Sequence, residues 1–359
     1  MTPDREIIAI HPAEPIGAYA FEVHHRIRRD ERDDYARTAH SLVRCADVVS
    51  IQFQEGIWGG EDGDAVLDFV RTLELPSVVT LHTLHREPTA RQHDILAELL
   101  ESAGAAVVMS DAAAETLATT YAIDRARIEV IRYGVPDLPV MADTVKTSVG
   151  LEGRRVLLSF GLLDPGKGYE LVIDALPAIL AEHPTTTYVI VGATHPDVRL
   201  RDGEAYRISL ASRAAALGVA ANVRFVPEFV GRVELARWLQ SADVFITPNP
   251  DLGSMLSGTL SLAMAAGRAI VSTPYPYAVE LLADGRGELV EPTPAGLAEG
   301  VIRLLDDDTT RTAMGARAHD HSRSMVWTKV GAEYRTLFAR VASSRPSTPR
   351  GRSVSVPSR

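Results

Sequence analysis

The chain has 359 residues, 46% hydrophobic and 23% charged, with a formal net charge of −10. That length exceeds what one hydrophobic core ordinarily serves, so two domains are expected. The acidic balance argues against a surface built to track nucleic-acid phosphates, so no nucleic-acid partner is expected. A single cysteine, Cys45, rules out a disulfide framework and a cysteine-rich metal site, and reads as a buried, inert thiol. No run reaches the roughly 18–20 apolar residues of a membrane span, and the opening "MTPDREIIAIHPAEP" is too acidic for a secretory leader. A soluble, cytoplasmic protein is expected.

In chain order, short β-branched runs predict strands at "IIAI" (7–10), "VVSIQF" (48–53), "SVVTL" (77–81), "AAVVM" (105–109) and "IEVI" (128–131). A second series follows at "RVLLSF" (155–160), "TYVIVG" (187–192), "VRFVP" (223–227), "VFITP" (244–248) and "AIVST" (269–273). Between them lie stretches such as "ARQHDILAELLESAG", with apolar residues at helical spacing. Apolar strands alternating with helices predict α/β architecture: parallel sheets covered on both faces, in two doubly wound domains. The segment 136–154 has little periodicity and reads as the linker between them. Residues 343–359 are rich in Ser, Pro and Arg, lack an apolar face, and are expected to be disordered.

Ligands of open parallel sheets bind beyond the carboxyl ends of the strands, and two such domains place the natural site in the cleft between them. Two strand-to-helix loops there suit an anion. In "FGLLDPGKG", Gly161, Gly166 and Gly168 permit tight turns, Lys167 supplies charge, and a helix entry follows with free amides. It is not a Walker loop, because Gly168 stands where Ser or Thr is required. In "SGTL", Ser257, Gly258, Thr259 and Leu260 open a small-residue helix. Alone, the first is equally a turn lysine and the second a plain N-cap. Together they suggest a two-sided phosphate clamp.

The stretches "FGLLDPGKG", "VRFVPEFVGRVELARWLQSADVFITP", "LAMAAGRAIVSTPY" and "ELLADGRGELVEP" resemble a family 4 retaining glycosyltransferase (glycosyl transferases group 1) of the GT-B fold. "IQFQEGIWGG", "TLHTLHREPTARQ", "GATHPDV", "GEAYR" and "SGTL" resemble a bacterial subgroup of it, so that the likeness covers roughly residues 45–340. The resemblance implies a nucleotide-sugar donor, a carbohydrate or small-molecule acceptor, and hexosyl transfer with retention at the anomeric carbon. It implies no cofactor and no metal, since basic side chains and helix amides neutralise the leaving diphosphate. Oligomeric state is left open. It divides the chain into a Rossmann-like acceptor-side domain (1–140), a Rossmann-like donor-binding domain (141–325), a helix crossing back to the first domain (326–342) and the tail (343–359).

Carried over position by position, the resemblance assigns catalytic roles to His82, Lys167 and Glu280. Donor and phosphate contacts fall to Gly161, Gly166, Lys167, Ser257, Gly258, Thr259 and Leu260. Gln54, Glu55, Gly59 and Gly60 fall on the acceptor side, with Trp58 either a sugar-stacking platform or a core residue. His195, Glu204 and Arg207 are candidate nucleotide contacts, although they could equally cap the next helix. His195 and Glu204 lack a second histidine at ligand spacing, so no metal is expected there.

Three positions depart from the family pattern: Leu162 replaces an arginine, and Ser254 and Leu262 replace a glutamate pair. The subgroup also opens with a strand and glycine loop ahead of the segment matching residues 7–60. The first domain is therefore expected to lack its first strand and loop. The leading function is a retaining glycosyltransferase; a phosphate-using glycoside phosphorylase and a catalytically impaired sugar-binding relative are the alternatives.

Overall fold

The computed structural model describes residues 7–11, 23–139 and 145–343. The tail expected to be disordered, beyond Ser343, lies outside them. In the first half the strands are β1 (Ile7–His11), β2 (Val23–Arg28), β3 (Val49–Phe53), β4 (Ser77–Leu81), β5 (Ala105–Val108) and β6 (Ile128–Val130). In the second they are β7 (Arg155–Phe160), β8 (Thr186–Val191), β9 (Val223–Val226), β10 (Val244–Thr247), β11 (Ala269–Ser272) and β12 (Glu288–Leu289). Each apolar run singled out in the sequence forms a strand. β2 and β12 were not anticipated.

In the second domain every pairing is parallel, in the order β12-β11-β10-β7-β8-β9. Consecutive residues of β7 feed opposite layers: Val156 and Leu158 join the cluster of Val189 and Ile270, while Leu157 joins Tyr188 and Val244. Both faces are thus covered, which is why these strands read as unbroken apolar runs and not as alternation. The order reverses between β7 and β10, so the loops leaving those two strands lie side by side.

The first domain's main sheet runs β3-β4-β5-β6, again all parallel. β1 and β2 form a parallel pair of their own, in a separate sheet. Between the two sheets lies a slot of about 160 Å³ lined by Ile8, Ile10 and Ile27 on one side and Val49 and Ile51 on the other. Beside it Trp58 is buried, donating from Nε1 to the Gln52 carbonyl at 3.0 Å and stacking on Tyr35 at 5.8 Å. The indole is a core residue, not a sugar platform. Cys45 corrects another expectation: it follows the short turn Leu42–Arg44 and is exposed.

Of the described residues between β6 and β7, only Val145–Ser148 is helical, and none forms a strand. Lys146 from that turn reaches Asp243 at 2.7 Å, fastening it to the second domain. The helix Trp327–Ser343 crosses back. Its Val330, Leu337 and Val341 pack with Val78, Val107 and Ile131, and its Tyr334 hydroxyl lies 3.1 Å from Thr80 Oγ1. At the crossing the two connecting strands of chain are zipped together. Val135 donates to the Met325 carbonyl at 2.9 Å, and Trp327 donates back to the Val135 carbonyl at 3.0 Å.

Candidate functional site

A cavity of about 560 Å³ opens between the domains. One lip is the loop after β4, His82–Glu87; the other is the loop after β10, Asp251–Leu256. Met255 ties the lips together, because it is buried in the first domain's core cluster.

The lysine turn stands against the base of the second lip. Asp164 caps it, accepting from the Gly166 amide at 2.8 Å. Gly168 has φ of +72°, and a Cβ there would meet the Pro248 carbonyl oxygen at 2.2 Å, so only glycine brings the turn this close to the β10 loop. Lys167 is exposed and makes no ion pair among the described residues; it is not part of the cavity lining. Gly161, at the end of β7, faces Thr259: a Cβ built on it would lie 3.5 Å from Thr259 Cγ2. The two loops expected to form a clamp are therefore neighbours.

Ser257 caps the helix Gly258–Ala265, accepting from the Leu260 amide at 3.2 Å, and its hydroxyl lies 3.1 Å from Thr259 Oγ1. Gly258 sits beneath the Tyr133 ring. The Leu260 side chain is fully buried in the core. Leu162 and Leu262 are partly buried, and Leu262 packs against the core. The Ser254 hydroxyl donates to the Leu256 carbonyl at 3.2 Å.

On the first-domain lip, His82 Nε2 pairs with Gln52 Oε1 at 2.8 Å, and its amide donates to the Phe53 carbonyl at 2.8 Å. Burial pushes its pKa down, favouring a neutral ring. Gln54 is exposed and its carbonyl accepts from Ile57 in a turn. Gly59 is a packing glycine: its amide donates to the Tyr35 hydroxyl at 3.0 Å, and a Cβ would fall 1.9 Å from the Arg29 carbonyl oxygen. Gly60 turns the chain at φ of +81° toward Asp64. Glu55 was anticipated here; its partner, His85, was not, although a second histidine in "TLHTLHREP" was a visible signal.

Four further assigned residues, Glu280, His195, Glu204 and Arg207, have protein partners of their own. Glu280, on the helix Pro276–Leu281, accepts from the amides of Asp111 and Ala112 at 3.0 Å each, and from Arg132. Its carboxylate thus caps a first-domain helix, Asp111–Thr120, from the second domain. Arg132 also reaches Asp111 at 2.8 Å. His195 caps the helix Pro196–Asp202 through Nδ1, accepting from Asp197 at 3.2 Å. Glu204 accepts from Thr194 at 2.6 Å and from Arg207 at 3.1 Å, bonds that pull its pKa down. Among the described residues, no three His, Cys, Asp or Glu side chains converge as metal ligands would. None of the helices described is long and apolar enough to cross a membrane.

Residues 154–307 match the family model described as "Glycosyl transferases group 1". The chain is 31% identical over 199 residues to a phosphatidyl-myo-inositol mannosyltransferase of Mycobacterium tuberculosis, an alignment covering 54% of this chain and 49% of that protein. It is 28% identical over 305 residues to a D-inositol 3-phosphate glycosyltransferase of a Nocardioides species, covering 74% and 62% respectively. The chain therefore spans about half the length of the first of these relatives and under two thirds of the second. In fold it is similar to HepE of Anabaena in complex with UDP, with a TM-score of 0.70 at 17% identity over 86% of this chain and 82% of that one. The sucrose-phosphate synthase of Thermosynechococcus elongatus gives 0.72 at 17% identity over 93% and 89%. The resemblance read from the sequence is borne out as a match of residues 154–307 to the group 1 glycosyltransferase model and as a shared GT-B pair of Rossmann-like domains.

Proposed function

We propose that the chain transfers a sugar, with retention, from a nucleotide-activated donor to an acceptor held against the first domain. The observation that carries this reading is that the loop bearing Lys167 and the Ser257–Thr259 helix entry are neighbours where the second sheet reverses, Gly161 facing Thr259. Such neighbouring loops suit a diphosphate, which helix amides and hydroxyls would meet from one loop and the Lys167 ammonium from the other. The likeness to a UDP-bound protein of the same fold supports a nucleotide donor. In a retaining transfer of this kind the leaving phosphate takes the acceptor proton, and the side chains stabilise developing charge. Leu162 and Leu262 remove polar contacts expected to the donor, so affinity is carried by the clamp.

The test is calorimetric titration of the chain with UDP and GDP, followed by incubation with UDP-glucose and GDP-mannose and product analysis by NMR. Binding of one nucleoside diphosphate, with the donor's anomeric configuration kept in the product, supports the reading. An inverted product removes retention, and absence of nucleotide binding removes the donor class.

A further inference from the structure

The first-domain lip holds a pair of side chains that the phosphate clamp does not use. Glu55 follows β3, His85 follows β4, and His85 Nε2 lies 2.9 Å from Glu55 Oε1. Both side chains are partly exposed, at 24% and 38%. His85 lines the cavity together with Asp251 and Ser254 of the opposite lip.

The surroundings hold this imidazole in place. The Tyr121 hydroxyl donates to the His85 carbonyl at 3.1 Å, and the Tyr121 ring stacks on His93 at an interplanar angle of 4°. The start of the loop is tied by the His82 amide, and its end by the capping box of Thr89 and Gln92. With Nε2 on the carboxylate, Nδ1 makes no hydrogen bond among the described residues, leaving a positioned polar group at the cavity.

The charge around it selects what that group can hold. Glu55, Asp62 and Asp251 all raise the pKa of His85, its hydrogen bond to Glu55 most of all. Arg86 and Glu87 complete the lip. Even with His85 protonated, Arg86 and His85 are outnumbered by Glu55, Glu87 and Asp251; Asp62 is offset by Arg91, 3.7 Å away. A phosphate would meet net repulsion, whereas vicinal hydroxyls can donate to carboxylates and pair with the imidazole.

We propose that the Glu55–His85 pair positions the acceptor, and that the acceptor is a neutral polyhydroxylated molecule, a sugar or cyclitol carrying no phosphate at the end held here. The inference rests on the transferase reading above.

Two arms test it separately from that reading. In the first, saturation-transfer NMR on the full chain with UDP present compares glucose, mannose and myo-inositol with glucose 6-phosphate, mannose 6-phosphate and inositol 1-phosphate. Neutral polyols should bind, and their signal should fall at least severalfold in His85→Gln and Glu55→Gln. In the second, nucleotide release from UDP-glucose and GDP-mannose is measured with the same acceptors. Both variants should raise the acceptor KM about tenfold with a smaller change in kcat, and Asp251→Asn should raise the ratio of phosphorylated to neutral acceptor used. Asparagine keeps the Asp251 Oδ1 bond to the Gly253 amide, so loss of folding does not explain such a switch. Consumption of neither sugar nucleotide sinks the transferase reading, and the binding arm then decides the inference alone. Preference for the phosphorylated compounds, or unaltered polyol binding in both variants, overturns it.

Discussion

Glu280 and Arg132 form an ion pair that joins the two domains, and the same carboxylate caps the first-domain helix Asp111–Thr120. Both side chains are largely withdrawn from solvent, at 22% and 29% exposure. Hydrogen bonds to charged groups contribute about 1.5–3 kcal/mol each, and removing one partner leaves the other uncompensated. Glu280→Ala should therefore cost about 2–4 kcal/mol and increase cleavage by proteases within the 136–154 connection. Unchanged melting and unchanged cleavage would show the pair to be incidental.

Lys167 is exposed and makes no ion pair among the described residues, so Lys167→Ala should leave the melting temperature where it is. Its loss should weaken UDP or GDP binding by about 1.5–3 kcal/mol, or roughly ten- to a hundredfold. Calorimetric titration of the two proteins checks this; equal affinity dismisses the clamp.

Trp58 answers to the opposite pattern. The buried indole, stacked on Tyr35 and edge-on to Phe69 at 5.9 Å, leaves a large cavity when truncated. Trp58→Ala should destabilise by about 3–5 kcal/mol in denaturant unfolding. A sugar platform would give the reverse result, lost ligand affinity at full stability.

The Glu55–His85 pair fixes a pH dependence. The folded-state pKa of His85 lies above its ordinary value because Glu55 favours the protonated ring. The stabilisation is complete below about pH 6.5, the unfolded value, and is lost as pH rises through the folded pKa. Solvent screening limits it to below about 1 kcal/mol. Glu55→Gln should thus cost more at about pH 5.5 than at about pH 9, and should move the His85 NMR titration midpoint downward. An unmoved midpoint removes the coupling.

The sheets were legible because both faces of the parallel strands are buried, leaving runs such as "SVVTL" and "VFIT" with no polar interruption. β2, "VHHRIR", was not: only Ile27 is fully buried among its described side chains, so no apolar run marks it. β12 is two residues long and pairs only beside β11, too short to leave a pattern. The loops after β7 and β10 announced themselves through glycines, one of which, Gly168, has no room for a side chain. Glu280 and His85 were harder. What each carboxylate or imidazole touches is set by residues 148 and 30 positions away, and no local spacing encodes that. Cys45 was misjudged because composition favours burial of a lone thiol, whereas it lies where a short helix has just ended at the surface.

The paired crossing at Val135 and Val326 limits the ways in which one domain could turn against the other. A single tether would let the domains twist, slide and swing. Two segments zipped by the Val135–Met325 and Trp327–Val135 bonds act as one flat strap. A strap resists torsion and sliding and leaves a swing about a line through the zipped residues as the soft coordinate. Displacement in such a swing grows with distance from that line, so the loops farthest from it sweep the widest arc. Any such swing would have to draw Met255 out of the first domain's core and part Glu280 from Arg132, so the shut position is held away from the strap as well as at it.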